Sequence, residues 1–191
     1  NQLLHGYVHD MGAAMLGGVG GHAGIFSNAN DVAKIMQLFL QKGYYGGKRY
    51  FKTETLNKFN TCYFCDNDNR RGIGFDKPQL GDDGPTCGCI SMTSFGHSGF
   101  TGTLAWADPT EDLVYVFLSN RIYPSMDNKK LIRMDIRTKI MSVVYDAIDL
   151  DGQTTDANGY FVIQNIPAGT YTVVVEEFYH KSFSTEMTFR K

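Results

Sequence analysis

His97-Ser98-Gly99, followed by Phe100-Thr101-Gly102, sets an imidazole, a hydroxyl and bare backbone side by side. At a strand edge such a run can aim backbone N–H groups at an oxyanion while its side chains bind a carboxylate or another polar group. The competing reading is a Gly-rich β-bulge with an incidental histidine. His9-Asp10 and His22 stand in a stretch rich in Gly and Ala, residues 6–24. That much glycine either builds a close-packed loop or leaves room for a ligand against bare backbone. By residue type alone, His22 reads as a structural hydrogen-bonder and His9-Asp10 as architectural.

Cys62-x-x-Cys65 and Cys87-x-Cys89 are a candidate four-thiolate zinc site. Zinc sites usually space each pair by roughly two to four residues, and Cys87-Gly88-Cys89 is tighter than that. Two disulfides in an oxidising compartment and four free thiols in a variable loop are the alternatives, and spacing alone does not choose. Gly18-Val19-Gly20-Gly21-His22-Ala23 nearly fits a dinucleotide fingerprint. That motif needs a preceding strand and an acid ~20 positions on. Residues 38–41 hold no acid and residues 11–16 make a poor strand, which rejects it.

The elements that must position these groups are legible in part. Asn28 to Asp31 offer caps for a helix in which Val32, Ile35, Met36, Phe39 and Leu40 recur at helical spacing, and Gly43 supplies the stop. A second, short helix is expected over residues 53–59. Residues 60–94 read as loop. Then comes a β-hairpin, with strands over 102–107 and 113–118 and a turn at Asp108-Pro109-Thr110-Glu111. Its second strand is nearly all apolar, as a strand buried on both faces should be. Residues 128–148 predict one long helix with Leu131, Met134, Thr138, Met141, Tyr145 and Ile148 on its inner face. Beyond a boundary near 148–152, short runs separated by Gly, Asn and Pro turns predict a partial β-sandwich over residues 149–191.

Composition narrows the classes. With 191 residues, one domain or one plus a small appendage is expected at ~150 residues per domain. Hydrophobic residues make up 42% and charged residues 20%, which fits a globular chain rather than a disordered one. A net charge of −2 gives no electrostatic reason to expect nucleic acid. No apolar run approaches the ~20 residues of a membrane span.

Taken in order, Val8-His9-Asp10, Met15-Leu-Gly-Gly-Val19, Gly21-His-Ala-Gly24, Phe26-Ser27, Asp31-Val-Ala33, Arg71-Gly-Ile-Gly-Phe-Asp-Lys-Pro78, Phe95-Gly-His-Ser-Gly-Phe-Thr-Gly-Thr103 and Leu118-Ser-Asn-Arg121 form a joint pattern. Residues 3–148 resemble the C-terminal half of bacterial serine hydrolases related to class C β-lactamases and penicillin-binding proteins. The nearest subgroup resembles the module found behind family-three glycoside hydrolases, the β-N-acetylglucosaminidases. Residues 152–171 resemble the carboxypeptidase-regulatory-like β-sandwich, which implies adhesion or spacing. The first resemblance implies an α+β fold, an antiparallel sheet with helices on both sides, over a domain of residues 1–148.

It also implies a site. The family's three elements are Ser-x-x-Lys, Tyr-x-Asn or Ser-x-Asn, and Lys/His-Thr/Ser-Gly. The third falls on His97-Ser98-Gly99, with the N–H of Phe100 as an oxyanion donor and with His22 and Thr101 as substrate-binding residues. No serine here has a lysine three residues on. Tyr123-Pro124-Ser125 echoes the second element but follows the third, and is discounted. The expectation is therefore the C-terminal part of a serine hydrolase, acting through an acyl-enzyme on a peptide, ester or β-lactam-like substrate. Its partner would be a missing N-terminal half carrying the nucleophile, without which the chain is inactive. The resemblance implies no cofactor, and a periplasmic or cell-envelope location. The alternative is a non-catalytic cell-envelope binding module.

Overall fold

A computed structural model describes residues 5–67, 69–79 and 84–149, together with the backbone of 169–175 and 183–189. The chain opens with α1 (Met11–Met15), where a poor strand had been read. Asp10 caps it by accepting the Ala13 N–H at 2.7 Å. α2 (Ala29–Leu40) follows the predicted helix closely. Asn28 accepts the Asp31 N–H at 3.0 Å and returns a 2.8 Å bond to the Asp31 carboxylate, a reciprocal cap. The helix stops at Lys42 (φ 52°) and Gly43 (φ 90°), where a Cβ would meet the Phe51 carbonyl. A two-residue ribbon, β1 (Tyr44–Tyr45) and β2 (Lys48–Arg49), leads to α3 (Thr53–Asn60).

The sheet is built from β3 (Phe95–Ser98), β4 (Leu104–Asp108) and β5 (Leu113–Leu118), all antiparallel. Alternation sends the side chains of each strand to two different helix layers. On one side Phe95, Ala107, Val114 and Val116 pack with Ala29, Ala33, Met36 and Leu40 of α2. On the other, Leu104, Trp106, Tyr115 and Phe117 pack with α4 (Lys130–Arg133) and α5 (Ile136–Asp149). This is the expected α+β arrangement of a sheet between helices. Ile35, one of the residues recurring at helical spacing, is 54% exposed.

The predicted long helix is two. Asp135 takes φ 52°, a left-handed conformation no helix interior accepts, and the chain restarts at Ile136. The break rotates the buried stripe to Ile136, Ile140, Met141, Val144 and Tyr145, leaving Met134 and Ile148 at the surface.

The tail reaches the same sheet. β6 (Gly169–Val175) pairs antiparallel with β5, Val116 opposite Val174, and β7 (Phe183–Phe189) pairs with β6. Without β6 the outer edge of β5 would present unpaired backbone groups. Among the described residues these two strands extend the sheet and form no second layer. The strand expected near 160–163 and its turns lie outside the described residues.

Asp108 ties the layers together. It is 1% exposed and accepts the Ser91 N–H at 2.8 Å, the Ser91 hydroxyl, the Thr110 N–H at 3.0 Å and the Tyr145 hydroxyl at 2.7 Å. Burial works against its ionisation, but these donors outweigh burial and hold its carboxyl below the usual range. A carboxyl depressed in the folded state adds stability that is complete above its unfolded value and disappears as pH falls through the folded one. Acid titration followed by circular dichroism should therefore show stability falling below about pH 4, less steeply in Asp108→Asn. Asp108→Ala should lose about 3 kcal/mol in urea unfolding, since it strands buried donors.

Candidate active-site groove

β3 ends at the surface. Phe95 and Gly96 are buried, His97 is exposed and Ser98 half-buried, so the strand runs from core to groove along its own length. Its outer edge is held by residue 76, whose N–H donates to the Gly96 carbonyl at 2.8 Å and whose carbonyl accepts the Gly96 N–H at 3.1 Å. The Asp76 carboxylate, 2% exposed, pairs with Arg70 at 3.1 Å and Arg71 at 3.0 Å. The Arg71–Lys77 motif thus positions β3 instead of touching the groove.

Past Ser98 the chain turns tightly. The Gly102 N–H donates to the Gly99 carbonyl at 2.9 Å, and the Gly99 N–H to the Thr103 carbonyl at 2.8 Å. Gly102 has φ 99°, and a Cβ there would run into Leu131 and the Ser119 hydroxyl. Arg137 of α5 donates to the carbonyls of Gly102 and Thr103, both at 3.3 Å. The Thr101 carbonyl accepts the Arg121 N–H at 2.9 Å. With the turn's carbonyls so engaged, the Phe100 N–H has no partner among the described residues. The Phe100 side chain is 61% exposed, with the His9 ring stacked 6.0 Å away and the Arg121 guanidinium 4.7 Å from its centroid.

The Gly-rich segment forms the opposite wall of a groove of about 1110 Å³. His97, Ser98, Gly99, Phe100, Thr101 and His22 all line it, so the structure brings together every residue proposed for the site from the sequence. His9 and Asp10, read as architectural, line it too, and so do Tyr123, Pro124 and Ser125, which had been discounted from chain order. Order along the chain says little about position here, because the segment after β5 returns beside the β3–β4 turn. A usable signal for Asp10 was its place just before α1, since an aspartate there caps a helix start. The Ala13 amide, and next the His22 ring, hold the Asp10 carboxyl below the usual carboxylate range.

The cysteines are elsewhere and hold no zinc-type thiolate cluster. Cys62 is bonded to Cys65 and Cys87 to Cys89, with Cα separations of 5.6 and 5.2 Å. Thiols tied into disulfides cannot ligate zinc, which removes the four-thiolate site. Among the described residues no group of three or more His, Cys, Asp or Glu side chains is placed to hold a metal ion.

A β3 that delivers His-Ser-Gly to a groove, backed by a sheet between helices, agrees with a comparison of families: residues 3–137 match the one described as Beta-lactamase. The chain belongs to the beta-lactamase family. The relative named "Putative D-alanyl-D-alanine carboxypeptidase" in Escherichia coli K12 is 39% identical over 130 residues, covering 66% of this chain and 30% of its own length. The protein of the same name in Salmonella agona is 37% identical over 130 residues, with 67% and 30% covered. This beta-lactamase-family chain therefore spans about 30% of the length of the curated relatives it matches. The family match stops short of β6 and β7, although β6 hydrogen-bonds to β5 inside it.

Gly102→Ala should lower stability by about 2 kcal/mol, measured by urea unfolding, and shift the amide resonances of Ser98 and Phe100. Resonances unchanged at those two positions would contradict the account of the turn.

Proposed function

We propose that this chain supplies the substrate groove and third catalytic element of a serine hydrolase that cleaves an amide or ester in a peptide-like substrate. The observation that carries the proposal is the exposed end of β3, where His97 and Ser98 line the groove beside the N–H of Phe100, which has no partner among the described residues. In this reading the Phe100 N–H stabilises the oxyanion of the tetrahedral intermediate, and Ser98 and His97 bind and polarise the substrate. His22 and Thr101 contribute to substrate binding from the two walls. The nucleophile and its lysine base come from sequence outside these 191 residues.

The relatives' printed name, with its D-alanyl-D-alanine substrate, supports a cell-wall-like peptide as the amide cleaved. A β-lactam would occupy the same groove as a cyclic amide. Two disulfides support a periplasmic or cell-envelope location, where thiols are kept oxidised. Attachment to a family-three glycoside hydrolase, and an adhesive role for the tail, rest on resemblance in the sequence.

Labelling with a fluorescent penicillin or a fluorophosphonate, on this chain and on a version extended through the upstream coding region, tests the proposal. Label is expected in the extended protein alone, and Ser98→Ala should reduce its rate by about tenfold or more. Label on the 191-residue chain would contradict the assignment of the nucleophile. Label on neither would favour a non-catalytic binding module.

A further inference from the structure

We propose that Asp10 and His22 form a carboxylate–imidazole dyad that presents the Nδ1 of His22 to the groove as a proton acceptor. The Nε2 of His22 lies 2.8 Å from the Oδ1 of Asp10. That oxygen also accepts the Ala13 N–H at 2.7 Å, so the carboxylate is fixed by the start of α1 before it meets the ring. An ionised carboxylate only accepts hydrogen bonds, so the neutral ring facing it carries its proton on Nε2. Nδ1 is then the nitrogen with the free lone pair. A histidine oriented by a carboxylate in this way has the arrangement of a general base and its orienter.

Two glycines border the ring. A Cβ at Gly12 would stand 2.8 Å from the His22 Nε2, too close for the contact with Asp10 to survive. A Cβ at Gly20 would stand 3.7 Å from Nδ1, at ordinary contact distance. Glycine at position 12 lets the ring close on Asp10, and Nδ1 has no hydrogen-bond partner among the described residues. The pair is part-exposed, with side-chain accessibilities of 55% for His22 and 36% for Asp10, so water reaches it. The other titratable groups facing the groove are His5, Tyr7, His9, His97 and Tyr123; Asp10 is its one carboxylate among the described lining residues.

The step this permits is balanced with water and an acyl substrate alone. Nδ1 takes a proton from a water molecule as the water oxygen forms a bond to the acyl carbon. That proton then passes to the departing alcohol or amine, and the neutral ring is restored. The inference deepens the hydrolase reading of the groove and rests on it for the identity of the acyl group.

Two measurements on the full 191-residue chain test it. Long-range 1H–15N spectra of the histidine rings at pH 8 should show His22 protonated on Nε2 and bare on Nδ1. Asp10→Asn, which keeps the helix cap because asparagine caps as well as aspartate, should lose that fixed tautomer. The chain's slow, non-covalent hydrolysis of the activated ester p-nitrophenyl acetate, which needs no acyl-enzyme, should fall about fivefold or more in His22→Gln. Gly12→Ala should act like His22→Gln while leaving the imidazole in the sequence. A His22 ring protonated on Nδ1, or an ester rate unchanged in His22→Gln, would overturn the proposal. The tautomer is read without substrate, so the dyad fails or stands separately from the groove's role in peptide hydrolysis.

Discussion

A side chain at position 96 would run into the Trp106 ring and the Ala105 carbonyl, and the groove depends on its absence. Gly96 lets β3 lie against β4 with a 1%-exposed tryptophan directly beneath. Truncating a buried tryptophan costs about 3–5 kcal/mol, a large part of a domain's net stability. The helix layers follow from the same register. Once Trp106 faces α5, its neighbours Ala105 and Ala107 must face α2, and small residues there allow that helix to approach.

The groove is the result of rigid parts meeting at one strand end. Gly102, Arg137 and Arg121 fix the turn after β3 by engaging its carbonyls, and the Phe100 N–H finds no partner among the described residues. Asp10 and His22 fix the opposite wall by clasping a loop too rich in glycine to hold a shape by itself. The Phe100 ring, between His9 and Arg121, links the two walls across sequence distances that no local interaction spans.

Much of this was legible in the residues. α2 could be read because caps, periodicity and a glycine stop all agree, and the β4–β5 hairpin because an apolar run follows an Asp-Pro turn. His97-Ser98-Gly99 could be found because its residue types are unusual together. What escaped is non-local or depends on a single dihedral. Asp135 breaks a helix that its neighbours' periodicity would continue, and nothing in an aspartate announces φ 52°. Tyr123 and Ser125 reach the groove only because the segment after β5 folds back on the turn. The cysteine pairings were undecided in the sequence because spacing permits more than one partner, and proximity in the folded chain chooses.

The central claim is that the end of β3 and the Gly-rich segment together form one groove, proposed above to take a peptide. Titrating the isotope-labelled chain with a D-alanyl-D-alanine-terminated peptide, while following every amide resonance, tests it most directly. The account predicts saturable shifts at Ser98, Phe100, Thr101 and His22, with the segments around Cys62 and Cys87 unmoved. Shifts confined to those cysteine segments, or none at millimolar peptide, would contradict it.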